Sequence, residues 1–118
     1  MSQVIPIFRI FDEAKAKTFY VDYLGFEISF VHRFEQNAPL YLGVNRGQCE
    51  IHLSEHYGDA TPGSSVRVFE EHLIEYHEQL TLKDNPYYRP SITHQPWGAL
   101  EMTVLDPFSN KLIFYRDA

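Results

Sequence analysis

The residues with chemistry to offer begin with one short run. Residues 50–56, Glu-Ile-His-Leu-Ser-Glu-His, alternate polar and apolar side chains. On an extended backbone that alternation puts Glu50, His52 and His56 on one face, with Ile51 and Leu53 on the other. A carboxylate beside an imidazole can serve acid–base work or help to hold a divalent metal. Glu101 is a second carboxylate, on the extended stretch Ala99–Leu105. The other chemistry is stacking: Trp97, Phe34, Tyr41, Tyr87, Tyr88 and Tyr115 carry flat π faces that take heterocycles and cations. Glu35, Glu50, Asp59 and Glu101 could supply counter-charge to a bound cation. The remaining patterns point nowhere. His72 and His77 are five apart, the wrong spacing for one helix face. There is no Ser/His/Asp or Cys/His order and no glycine-rich phosphate loop. A lone Cys49 can neither close an internal disulfide nor build a thiolate metal site.

These side chains need elements to position them. Residues 5–11 are apolar and β-branched and read as a strand, followed by Asp12 as a helix N-cap. Ala16, Phe19, Tyr20, Tyr23 and Leu24 then form one helical stripe, and Gly25 stands where a left-handed C-cap suits glycine. Residues 26–34 are extended, and residues 41–44 and 50–55 make a hairpin across Asn45-Arg46-Gly47. Residues 56–65, rich in Gly, Pro and Ser, are the connector. Then the order restarts. Residues 66–69 are a strand; Leu73, Tyr76, His77 and Leu80 are a helical stripe; residues 86–92 are a weaker strand carrying Pro90; Ala99–Leu105 and residues 111–115 pair around the turn 106–110.

The restart has a register. Residues 8–13 match residues 66–71 at an offset of 58, and residues 51–53 match 112–114 at an offset of 61. The chain therefore reads as two tandem βαβββ modules, about 3–56 and 63–117, in one α+β domain covering 1–118, with mixed sheets enclosing a groove. Parity sends Phe8, Ile10, Val66, Val68, Ile51, Leu53, Leu112 and Phe114 under the helices. It leaves Ile5, Ile7, Arg9, Gly63, Ser65 and Arg67 facing away, with Glu50, His52, Ser54, Lys111, Ile113 and Tyr115 beside them. Arg9 and Arg67 become partners under the repeat, placed to neutralise Glu50 or Glu101.

Composition narrows the function classes. With 10 Lys+Arg against 16 Asp+Glu, net −6, the chain lacks the basic face that nucleic acid requires. Hydrophobic residues at 44% and aromatics at 15% supply enough apolar surface for a real core, which argues against disorder. No apolar run approaches the roughly 20 residues that span a bilayer. The start has no basic n-region or small-residue cleavage site, so the expected compartment is the reducing cytoplasm.

Taken in order, the motifs resemble the vicinal-oxygen-chelate (glyoxalase) superfamily, and within it the bleomycin-resistance proteins. Asp12, Phe19-Tyr20 and Leu24-Gly25-Phe26 are similar to that family's opening D…FY…LGF pattern. Gln95-Pro96-Trp97-Gly98 with Asp106-Pro107 and Asn110 is similar to its closing QPWG…DPxGN, with Ser109 in place of the usual glycine.

The resemblance carries expectations. Metal-dependent members hold a divalent ion on four positions, which fall here on Ile5, His52, Gly63 (or Ser64 or Ser65) and Ile113. Only His52 has a donor atom to give, so the resemblance implies the branch without metal or cofactor. That branch sequesters a planar or cationic small molecule such as a bleomycin-type antibiotic, does no chemistry and is homodimeric. Trp97 matches its groove tryptophan, and Phe34 lies near its second stacking aromatic, though the residues alone also fit a core phenylalanine. His52, Glu50, Tyr115 and Glu101 complete the expected ligand-binding set. Pro6 matches a hinge proline from which the first strand is exchanged between protomers. The alternative is a metal-dependent lyase or dioxygenase with an atypical site around His52 and Glu101.

Overall fold

Asp12 adopts the extended conformation of an N-cap, φ −154°, and its carboxylate accepts the Lys15 amide at 2.9 Å. In this computed structural model, which describes residues 2–118, β1 (Ile7–Arg9) precedes it and α1 (Glu13–Lys17) follows. The helix does not continue as a regular α-helix. Over Thr18–Tyr23 it widens into a π-type turn, with the Leu24 amide reaching the Phe19 carbonyl five residues back at 2.9 Å. Phe19, Tyr20, Tyr23 and Leu24 are all buried, so the predicted stripe still faces inward. Gly25, at φ +83°, takes the left-handed turn, and the Phe26 amide closes back on the Tyr20 carbonyl at 2.8 Å.

Then come β2 (Glu27–His32), β3 (Tyr41–Arg46) and β4 (Cys49–Ser54). The second half gives β5 (Ser65–Phe69), α2 (Leu73–Leu82), β6 (Ile92–His94), β7 (Ala99–Leu105) and β8 (Lys111–Asp117). Each half forms one four-stranded sheet, ordered β1-β4-β3-β2 and β5-β8-β7-β6, with the first strand parallel to the last and the others antiparallel. Two tandem βαβββ modules are therefore the architecture.

Several predicted details differ. The first hairpin turns at Gly47-Gln48 rather than across residues 45–47, because Arg46 pairs with Cys49. Residues 86–91 form no strand; β6 begins only at Ile92, past Pro90, which has no amide to give a ladder. The first strand is shorter than 5–11. The offset also shifts: Phe8 pairs with Leu53 and Val66 with Leu112, so setting Val66 on Phe8 relates the last strands by 59 rather than 61.

Parity holds. Phe8, Ile10, Ile51, Leu53, Leu112 and Phe114 are buried, with Val66 and Val68 packed against the same cluster. Each fully buried side chain of this size contributes about 2 kcal/mol. Polar links cross between the modules. The Tyr20 hydroxyl donates to Asp106 at 2.7 Å, Asn110 Nδ2 to the Arg9 carbonyl at 2.8 Å, and the Tyr76 hydroxyl to the Leu24 carbonyl at 2.6 Å. The Arg46 guanidinium lies 3.6 Å from the centre of the Tyr76 ring and pairs with Glu70.

Candidate functional site

With the core faces covered, what remains is the opposite face of each sheet. On the first sheet, register places Glu50, His52 and Ser54 on β4 beside Asn45, Gly43 and Tyr41 on β3, with Ile7 and Arg9 on the far side. His52 sits at the centre. Its Nε2 is 2.7 Å from Glu50 Oε2 and its Nδ1 is 2.8 Å from the Tyr41 hydroxyl. A carboxylate can only accept, so Nε2 carries a proton, and in the neutral imidazole Nδ1 accepts from Tyr41. The phenol keeps its lone pairs for an outside donor. Partial burial, with the Asp59 charge second, raises the Tyr41 pKa and keeps the hydroxyl protonated.

Phe30 roofs this group. Its ring stacks 6.0 Å from Tyr41 and meets His52 edge-on at 5.1 Å. Gly43 makes that possible, because a Cβ at this position would overlap the Phe30 ring. Phe30 was not among the expected site residues. A bulge in β2 between Ile28 and Phe30 sets its facing, and alternation cannot reveal a bulge. The opposing glycine is the one signal in the sequence. Phe34 stands at the rim, 78% exposed, edge-on to His32 at 4.9 Å and to His56 at 6.4 Å. It is not a core phenylalanine. His56 lies past the end of β4, its ring 6.5 Å from Tyr41.

The second sheet holds a different set. Glu101 is buried; its Oε2 is 3.0 Å from Arg67 Nη1, a charge contact off the hydrogen-bond axis, and its Oε1 takes a long bond from Gln95 at 3.4 Å. Arg67 lies 4.4 Å from the centre of the Tyr115 ring, which packs edge-on to Phe69 at 5.7 Å. So Arg67 meets Glu101 as expected, whereas Glu50 is engaged by His52 rather than by Arg9. Trp97 sits at the tip of the β6–β7 turn, which Gly98 (φ +92°) closes by donating to the Gln95 carbonyl at 3.0 Å. It is 68% exposed, so its ring is not packed into the core. Tyr87 is exposed, while Tyr88 packs at 4.9 Å from Phe19 and 5.0 Å from Tyr23. Tyr88 is structural.

The expected residues thus form two clusters on separate sheets. Glu50 and His52 join Tyr41, Phe30 and Phe34; Glu101 and Tyr115 join Arg67. Among the described residues no hydrogen bond, ion pair or ring contact links the two. A divalent metal does not fit either. Both ring nitrogens of His52 are engaged, and no group of three or more His, Cys, Asp or Glu able to hold an ion occurs among the described residues. No described helix is long and apolar enough to cross a membrane.

Against known proteins, a family model described as "Glyoxalase superfamily protein" matches residues 1–118. The chain belongs to the glyoxalase superfamily. Solved structures with the same fold include a bleomycin-binding protein complexed with bleomycin, at TM-score 0.75 and 21% identity, covering 100% of both chains. The bleomycin resistance determinant encoded on transposon Tn5 follows at TM-score 0.75 and 19% identity, covering 99% of this chain and 98% of that one. TioX from Micromonospora sp. ML1 is similar at TM-score 0.76 and 17% identity, covering 100% of both. A comparison with curated proteins finds no match.

Proposed function

We propose that the chain is a metal-free binding protein that sequesters a planar or cationic small molecule, such as a bleomycin-type antibiotic, and transforms nothing. The observation that carries this reading is the ring cluster on the first sheet: Phe30, Tyr41 and His52 in mutual contact, backed by Glu50, with Phe34 exposed at the rim. Rings of this kind take a flat heterocycle by stacking, Tyr41 offers an acceptor, and Glu50 supplies negative charge. The net charge of −6 draws a cation in from a distance. A like-folded protein whose structure was solved with bleomycin bound supports the ligand class. In this reading Trp97, in the β6–β7 turn, and Tyr115 and Glu101, on the second sheet, would add to the binding set.

We place the protein in the cytoplasm as a homodimer. In that reading the half-covered sheet faces meet a partner, and Pro6 is the hinge of an exchanged first strand. A dimer that survives deletion of residues 5–11 would overturn the exchange.

Trp97 is the only tryptophan, so its fluorescence reports on one turn. Titration of bleomycin should give saturable quenching, stoichiometric with protomer, and calorimetry should give the same endpoint. Y41F and F30A should weaken binding by about tenfold each. A flat response by both methods would discard the antibiotic. A stoichiometric metal retained through gentle purification and lost in H52A would overturn the metal-free reading in favour of the enzyme.

A further inference from the structure

Arg9 and Arg67 occupy the same place in the repeat and meet different surroundings. Arg67 pairs with Ile113 and, across β8, with Thr103; Glu101, two residues before Thr103, supplies its carboxylate. Arg9 pairs with Ser54 and, across β4, with Tyr41. Two residues before Tyr41 the chain has Pro39, which has no charge to offer. Arg9 is left with the face of Phe11, 4.8 Å from its guanidinium carbon. Its Nη1 is shut off from solvent and bonded to nothing among the described residues. Asp59, the acidic residue of the adjoining loop, accepts instead from the Ser54 hydroxyl at 2.6 Å.

Beside this guanidinium lies a cavity of about 370 Å³ whose walls include Arg9, Phe11, Tyr57, Ala60 and Pro62. Its size is that of a small-ligand pocket, and its lining is mostly apolar. A guanidinium with donors to spare is a planar fork matched to a carboxylate, and the missing Glu101 equivalent leaves that place to a ligand. We propose that this cavity is a second binding site, for an aryl or short-chain carboxylate whose acid group pairs with Arg9 and whose apolar body lies against Phe11 and Pro62. Its lining shares no residue with the ring cluster around His52, and the proposal does not rest on a bleomycin-type ligand.

Calorimetric titration with naphthalene-2-carboxylate and with neutral naphthalene-2-carboxamide tests it. The carboxylate should bind saturably, and about tenfold more tightly than the amide. R9M should remove that preference, R9K should keep part of it, and R67M should leave it intact; thermal melts confirm that each variant is folded. Equal affinity for the two probes, saturable binding of neither, or a preference that survives R9M would overturn the proposal. Loss of the preference in R67M alone would move the site to the second sheet and overturn it equally.

Discussion

The first module puts rings and an imidazole on its open face; the second puts a buried carboxylate, a guanidinium and a phenol there. Both have the same strand order and the same parallel pairing of first strand with last. The divergence lies in where polar groups find partners. In the first module His52 is held by neighbours on its own sheet, and Arg9 is left over. In the second, Arg67 and Glu101 neutralise each other, and the tightest polar network lies in the turn between β7 and β8. A repeated backbone thus fixes positions, and single side chains decide what each open face presents.

The largest test of that division is the β7–β8 turn. Buried Asp106 accepts from the Tyr20 hydroxyl, from the amides of Phe108 and Asn110, both at 2.8 Å, and from Asn110 Nδ2 at 2.9 Å. D106A strands all of these donors and should lower the unfolding free energy by about 4 kcal/mol in urea titration. Q48A, in the equivalent turn of the first module, should change it by less than about 0.5 kcal/mol. A similar cost at both turns would break the comparison.

G43A should cost about 2 kcal/mol by overpacking, and should also disturb the Phe30–His52 contact, visible as a shift of the His52 ring resonances. Alkali gives the next effect. Burial first, and nearby negative charge after it, raise the pKa of Tyr20 well above 10. Burial is also the chief cause of the rise at Tyr76. Unfolded tyrosines ionise near 10 and these do not, so the stability they contribute is complete below pH 10 and falls as pH rises past it. Between pH 9 and 11 wild type should lose about 1 kcal/mol more than Y76F.

The two hairpin turns sharpen the contrast further. Gly47 at φ +59° is unstrained, whereas Ser109 at φ +71° puts a side chain in the left-handed region. S109G should therefore raise stability by about 0.5 kcal/mol, and G47S should lower it. The smallest effect is at acid pH. The hydrogen bond and ion pair to Lys17, reinforced by Arg33, lower the Glu13 pKa. Its contribution is present above the ordinary carboxylate pKa and fades as pH falls below it, so E13Q should flatten the stability profile there.

Much of the fold was legible because each signal was local. Asp12, Gly25 and the alternation around Phe8, Leu53, Leu112 and Phe114 act through neighbours in sequence or a fixed side-chain period. The π-type turn was not legible, since its buried stripe is the one a regular helix would show. On the open faces, the facing of His52, Glu50 and Arg67 followed from parity. Phe30 did not, because a bulge changes facing by one residue. The exposure of Phe34 and Trp97 also lay beyond reach, since rim loops are set by packing outside their own segment.

The bond from Tyr20 to Asp106 has a consequence for the chain as a whole. Two copies of a module can begin as separate bodies, each melting at its own temperature. Once a tyrosine of one copy partners a buried carboxylate in the other, separating the halves strands charge and donors in both. Cooperativity is then a property of the pair, and heating should give a single calorimetric peak with matching van't Hoff and measured enthalpies.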